Sequence, residues 1–215
     1  MEGFELKKII SLLMLAVLAL VCTACGGQEG TSGSSSSAQK ASSGQTAGKP
    51  GGTTGKDTLV VYFSCTGHTK GLAQDVAEIC DADIFEIQPE QPYTKADLNY
   101  KDESTRATVE QKDPKARPAI KNRLENLGQY KNVVLAYPIW WGQAPRIMDT
   151  FMESYDFTGK NILPLCTSEG SEIGSSADVL KQHAPSAKWK EGRAFPGGLT
   201  KSDLKAALQK AQFIQ

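Results

Sequence analysis

The chain has 215 residues, 40% of them apolar, with 24 basic and 24 acidic side chains. That composition excludes a collagen, a coiled-coil rod and a wholly disordered chain, and the balanced charge removes bulk electrostatics as a reason to expect a nucleic-acid partner. The first 55 residues are two segments of abnormal composition, which leaves a domain from Lys56 to Gln215 of 160 residues with 20 basic and 21 acidic side chains. A domain of that size buries roughly two thirds of its unfolded surface and needs neither disulfides nor metals for stability.

Lys7 and Lys8 precede Ile9 to Val21, 13 residues whose only polar member is Ser11. This is the basic region and apolar region of a signal peptide; a spanning helix needs about 20 apolar residues. The stretch Cys22-Thr23-Ala24-Cys25-Gly26-Gly27 resembles the bacterial lipobox, in which cleavage before a cysteine exposes it for diacylglycerol attachment. Cys25, behind small Ala24 and Thr23, is the expected acceptor, with simple release or an uncleaved anchor as the alternatives. Residues 1–24 therefore read as a lipoprotein signal peptide, and the expected location is the outer face of the cytoplasmic membrane. Gly26 to Gly55 holds no Val, Ile, Leu, Met or aromatic residue, so nothing offsets the entropy cost of ordering it. Residues 25–55 are read as the lipidated cysteine and a disordered Gly/Ser-rich tether, with a root-mean-square span of about 30 Å.

Residues 56–215 predict alternating strands and helices. Leu59 to Phe63 is a continuous apolar run, as in a parallel strand buried on both faces. From Thr69, helical spacing places Leu72, Ala73, Val76, Ala77 and Cys80 on one face, and the helix is expected to end near Asp81. Ile84, Phe85 and Ile87 make a second strand and Val133 to Tyr137 a third. Between them, Tyr93 to Pro118 is an irregular insertion with two short helices expected near Lys95 to Tyr100 and Glu103 to Gln111. Ile147, Met148, Phe151 and Met152 have helical spacing; Ile162 to Cys166 is a fourth strand, in which Pro164 is awkward. Val179 and Leu180 belong to another helix, Ala187 to Phe195 alternates like an edge strand, and Leu204, Ala207, Leu208 and Ala211 make a last helix capped by Thr200. The repetition predicts an α/β domain with helices on both faces of a parallel sheet.

Ligands of open α/β sheets bind beyond the carboxyl ends of the strands, where the strand order switches. Three loops lie there. Ser64-Cys65-Thr66-Gly67-His68-Thr69 offers hydroxyls, a glycine and the amides of a helix N-terminus, the parts of a phosphate cradle without a cation; an ordinary capped helix has the same residues. A cysteine-based phosphatase is disfavoured, because position 71 is Gly where such a site needs Arg. Pro138-Ile139-Trp140-Trp141-Gly142 places two adjacent indoles after a buried strand, suited to a planar ligand, a core or an interface. Thr167-Ser168-Glu169-Gly170 and the residues to Gly174 add polar donors.

Taken together, Ser-x-Thr-Gly-x-Thr after the first strand, Tyr-Pro-Ile-Trp-Trp-Gly after the third and Cys-Thr-Ser-x-Gly after the fourth resemble the flavodoxin family, most closely its flavodoxin-like domains in bacterial lipoproteins and small redox proteins, over Thr58 to Gly198. The resemblance implies a flavodoxin-like, doubly wound five-stranded parallel sheet in the order 2-1-3-4-5 and FMN as cofactor. It implies that Ser64, Thr66, Gly67, His68 and Thr69 hold the phosphate, that Pro138, Ile139, Trp140, Trp141 and Gly142 flank the ring, and that Ser168, Glu169 and Gly170 meet its other edge. Gly142 is the implied site of the backbone flip that accompanies flavin reduction. His68 stands where the family more often has Asn, and Glu169 where close relatives often have Gly; a carboxylate there would lower the flavin's potential, unless it points to water.

Cys65, Cys80 and Cys166 lack zinc or dithiol spacing and read as small buried hydrophobes, with a lowered pKa for Cys65 as the alternative if it lies in an anion nest. His183 precedes Ala184-Pro185 in an expected loop and needs no functional reading. The expectation is a membrane-tethered, extracytoplasmic flavodoxin-like protein that transfers electrons through FMN, with an unidentified redox protein or small molecule as partner. The alternatives are an FMN-dependent NAD(P)H or quinone reductase, whose second substrate Tyr93 and Tyr100 would wall, and a non-redox binding module.

Overall fold

The computed structural model describes residues 56–197 and 200–215. The expected signal peptide, Cys25 and the tether lie outside the described residues. The elements are β1 (Thr58–Tyr62), α1 (His68–Cys80), β2 (Asp83–Glu86), α2 (Arg106–Lys112), β3 (Asn132–Pro138), α3 (Arg146–Glu153), β4 (Asn161–Ser168), α4 (Ser176–His183), β5 (Lys188–Trp189), β6 (Arg193–Pro196) and α5 (Lys201–Lys210). All strand pairs are parallel, in the order β2-β1-β3-β4-β5, with β6 also on β4. The 2-1-3-4-5 order is therefore present, and the fifth strand comes in two pieces.

Side-chain alternation along the central strands supplies two cores. Leu59, Val61, Val133, Leu135 and Ile162 pack with Ile147, Met148, Phe151 and Leu180 of α3 and α4. Val60, Tyr62, Val134, Ala136, Leu163 and Leu165 face the other way, onto Leu72 and Val76 of α1 and Leu204 and Leu208 of α5. Helices thus cover both faces. α1 ends where Asp81 takes φ 45° and Ala82 N–H reaches back to the Ala77 carbonyl at 2.9 Å, a left-handed C-terminal turn. Thr200 caps α5 as expected, its Oγ1 accepting from Asp203 N–H.

The broken fifth strand has a cause in β4. Lys188 N–H bonds the Lys160 carbonyl and Lys190 N–H the Ile162 carbonyl, while Asn161 N–H bonds the Lys131 carbonyl. Even-numbered residues of β4 therefore face β5 and β6, and Pro164, which has no N–H to give, faces them too. Pairing with β5 stops at Ile162 and pairing with β6 starts at Leu165, so the proline falls in the gap. Gly192 fills that gap: a Cβ there would lie 2.6 Å from Pro164 Cγ and 2.8 Å from the Pro164 carbonyl oxygen.

The insertion departs from the expected two helices. Only α2 forms; residues 95–98 make turns, because Thr94 and Asp97 bond each other's backbone and side chain and close the turn locally. The return of the insertion covers the β2 side of the sheet, with Lys121 N–H on the Gln88 carbonyl at 2.7 Å and Asn122 Nδ2 on the Glu86 carbonyl at 2.7 Å. His183 ends α4, where a loop was expected. Its ring nitrogens lie 3.1 Å from Asp149 Oδ1 and 3.2 Å from Glu153 Oε1, a link between α4 and α3.

Candidate functional site

β1, β3 and β4 are adjacent and parallel, so the loops that follow them emerge at one edge of the sheet, where the chain order reverses between β1 and β3. In the first loop, Ser64 Oγ accepts from Gly67 N–H at 3.1 Å, and Gly67 at φ 93° turns the chain into α1. No side chain caps α1, and its first internal bond is Gly71 N–H to the Gly67 carbonyl at 3.0 Å. The Gly67 amide is spent on Ser64, and those of His68, Thr69 and Lys70 are the donors at the positive end of the helix. A Cβ at Gly67 would meet nothing within 4 Å, so the turn that leads into α1 is uncrowded. Thr66, Gly67 and His68 are exposed there, whereas Thr69 is 2% exposed, with its Oγ1 2.7 Å from Thr167 Oγ1.

The second loop leaves Pro138 with Ile139 N–H on the Thr167 carbonyl at 2.9 Å. Trp140 and Gln143 then bond each other in both directions at 2.9 Å, with Trp141 at φ 49° and Gly142 at φ 75° between them. Two positive φ values inside such a pair define a type I′ turn, and a tryptophan in its first position is strained. The two indoles separate. Trp140 packs edge-on against Phe63 at 5.7 Å and Tyr93 at 5.3 Å, while Trp141 stays 44% exposed. In the third loop Ser168 Oγ donates to the Ser171 carbonyl and accepts from Gly170 N–H, which leaves Glu169 and Gly170 exposed at the same edge.

Arg106 and Glu110, which the sequence did not mark, join Tyr93 in supporting this edge from the insertion. Arg106 lies with its guanidinium carbon 4.1 Å over the Tyr93 ring and its Nε 2.7 Å from Glu110 Oε1, and Tyr93 Oη donates to Glu110. Burial and the Glu110 bond push the Tyr93 phenol up, out of any titration near neutrality. The spacing of Arg106 and Glu110, four apart in an expected helix, was the available signal. Beside them a cavity of about 280 Å³ is lined by Glu90, Gln91, Arg106, Glu110, Pro118 and Ala119. Tyr100 is exposed.

The lowered Cys65 pKa weighed from the sequence is corrected. Burial pushes this thiol up to about 12, with Arg106 pulling the other way and Glu110 adding to the rise. Cys65 packs against the core instead of facing the amides. Cys80 and Cys166 are pushed up to about 11 and about 12, again by burial, so all three behave as apolar groups. Among the described residues no cluster of His, Cys, Asp and Glu is suited to a metal, and no helix is long and apolar enough to cross a membrane.

An open, doubly wound sheet with an uncapped helix start, an exposed indole and a donor loop at its switch point is the arrangement in which open α/β domains place their ligand sites. The sequence model of flavodoxins matches residues 57–211, so the chain belongs to the flavodoxin family and is a flavodoxin-like flavoprotein. A candidate flavoprotein of Bacteroides eggerthii DSM 20697 is 43% identical over 74% of this chain and 99% of its own, with a TM-score of 0.70. Another from Bacteroides uniformis ATCC 8492 is 41% identical over 72% of this chain and 98% of its own, with a TM-score of 0.68. A flavoprotein of Lactobacillus acidophilus NCFM, solved in complex with FMN, shares the fold at 23% identity, over 65% of this chain and 92% of its own, with a TM-score of 0.52. Among curated proteins there is no significant match.

Proposed function

We propose that this chain binds FMN at the β1, β3 and β4 loops and carries electrons to and from redox partners outside the cytoplasmic membrane, tethered there by a lipid on Cys25. The observation that carries the reading is the uncapped N-terminus of α1 beside the exposed Trp141 indole on one sheet edge. The donor set fits the cofactor. A phosphate monoester suits free amides and hydroxyls at a helix start, and a planar ring suits an exposed indole next to a polar loop.

Ser64, Thr66, Gly67 and His68 would hold the phosphate with side-chain and backbone donors. Thr69 would contribute its amide, because its hydroxyl is engaged by Thr167. Pro138, Ile139 and Trp140 would set the floor from which Trp141 and Gly142 reach the ring, and Ser168, Glu169 and Gly170 would meet the ring's other edge. FMN, when bound, supplies one- and two-electron chemistry; the protein orients the ring, excludes water from part of it and tunes its potentials.

Incubation of the protein with FMN, desalting and a visible spectrum test the cofactor. Retained yellow colour that bleaches on photoreduction is expected, and a colourless protein would overturn the reading. Metabolic labelling with a fatty acid tests the anchor: label is expected on the wild-type chain and its loss in Cys25→Ala. Label that survives the substitution would exclude Cys25 as the acceptor.

A further inference from the structure

Phe63, Tyr93 and Trp140 form a closed triangle of rings. Each pair meets edge to face, with centroids 5.8 Å apart for Phe63 and Tyr93, 5.7 Å for Phe63 and Trp140, and 5.3 Å for Tyr93 and Trp140. Trp140 stands in the second loop and Tyr93 in the insertion, so the ring contact leads from the ligand edge to the insertion. A phenylalanine at 93 would serve that packing equally well. The tyrosine brings in addition a hydroxyl that donates to the Glu110 carboxylate, and Arg106 completes the group, with Nε 2.7 Å from Glu110 Oε1 and its guanidinium carbon 4.1 Å over the Tyr93 ring. A partly buried ion pair returns little net stability, so the fold alone is a poor reason for this arrangement.

Its chemistry suits the loss of one electron. A phenol that loses an electron becomes a strong acid and sheds its proton, and the Glu110 carboxylate already holds that proton in a hydrogen bond. The Arg106 charge over the ring opposes a positive charge there, which ties the departure of the electron to the departure of the proton. We propose that Trp140, Tyr93 and Glu110 form a radical relay that moves an oxidising equivalent from the ligand edge into the insertion. A small one-electron oxidant, such as an oxygen-derived radical, takes an electron from the Trp140 indole. Tyr93 then gives one electron to the indole across the ring contact and passes its Oη proton to Glu110. The oxidant ends reduced by one electron, Trp140 is restored, Tyr93 is a neutral phenoxyl radical and Glu110 a carboxylic acid. The relay requires no flavin and goes beyond the function proposed above.

The test uses the full chain in mild detergent, stripped of any flavin. Azidyl radicals made by pulse radiolysis oxidise indoles, and transient absorption follows the decay of tryptophanyl radical and the rise of tyrosyl radical. In the wild type a tyrosyl rise is expected whose rate does not depend on protein concentration and which slows in D2O. Tyr93→Phe and Trp140→Phe are expected to lose that phase. Glu110→Gln can still accept the hydrogen bond but not the proton, and is expected to slow the phase about a hundredfold, the lower end of what a positioned base contributes. Tyr130→Phe, which removes a second tyrosine that donates to a carboxylate, Asp83 at 2.8 Å, is expected to leave it unchanged. A wild-type chain without the phase, a rise indifferent to D2O, a phase that survives Tyr93→Phe or Trp140→Phe, or a Glu110→Gln rate equal to wild type would each overturn the proposal. The first two readouts need no substitution, so a variant that fails to fold leaves the test standing.

Discussion

The hydroxyl of Thr69, in the first turn of α1, lies 2.7 Å from the hydroxyl of Thr167 near the end of β4, 98 residues away in sequence. It joins the first loop to the third behind the α1 amides. Thr167→Val keeps the shape and leaves the Thr69 hydroxyl, 2% exposed, without a partner. The expected loss is about 1–3 kcal/mol, read as a lower urea midpoint at unchanged slope, and Thr167→Ser should restore most of it. Equal stability of the Val and Ser variants would show that the bond contributes nothing.

Gly192→Ala should be among the most damaging single-methyl changes. The new Cβ would meet Pro164 Cγ at 2.6 Å, Ile173 Cδ1 at 2.5 Å and the Pro164 carbonyl oxygen at 2.8 Å, and backbone cannot step aside as a side-chain tip can. Overpacking of this kind costs roughly 2–3 kcal/mol, or about 5–10 °C in Tm for a domain of this size. A variant that melts with the wild type would mean that the β5–β6 gap is soft.

What was legible in the sequence follows from which interactions are local. β1, β3 and β4 announced themselves because burial on both faces leaves unbroken apolar runs, and the strand order came with three loop motifs that topology brings to one edge. The break between β5 and β6 was half legible: Pro164 flagged a problem, but its solution depends on Gly192, close in space and 28 positions on. The Thr69–Thr167, Tyr93–Glu110 and Gln143–Ser175 bonds were not legible, since each pairs ordinary polar residues across long separations. Trp140 and Trp141 could not be told apart either. Their opposite fates follow from a turn in which Trp141 takes a positive φ.

The raised thiol pKa values set an alkaline limit. Folded Cys65 and Cys166 are pushed up to about 12 and Cys80 to about 11, from 9.0 in the unfolded chain. Above about pH 9 the unfolded state releases protons that the folded state keeps, so stability falls as pH rises through the window from about 9 to about 12, and the thiols have no such effect below it. The buried phenols of Tyr62 and Tyr137 and the half-buried one of Tyr93, also pushed up, steepen the fall above about pH 10. Native protein should accordingly alkylate slowly with iodoacetamide near pH 8 and unfolded protein quickly. A Cys65 that reacts like a free thiol would contradict its burial.

Glycine to alanine should change sign between two positions that both have room. Gly71 lies in α1 and Gly142 in the Trp141 turn, and a Cβ on either would meet nothing within 4 Å. Gly71 has ordinary helical backbone, so Gly71→Ala removes unfolded-state freedom and should stabilise by about 0.5–1 kcal/mol. Gly142 has φ 75°, where an L side chain costs roughly 1–2 kcal/mol, so Gly142→Ala should destabilise by about that amount although no atom obstructs it. The pair isolates backbone conformation from packing, with urea midpoints as the readout. In the flavin-loaded protein Gly142→Ala should also weaken FMN binding, because the turn next to Trp141 must distort, while Gly71→Ala, one turn into the helix, leaves it in place. Two variants that shift stability in the same direction would mean that the turn is not held in the type I′ form.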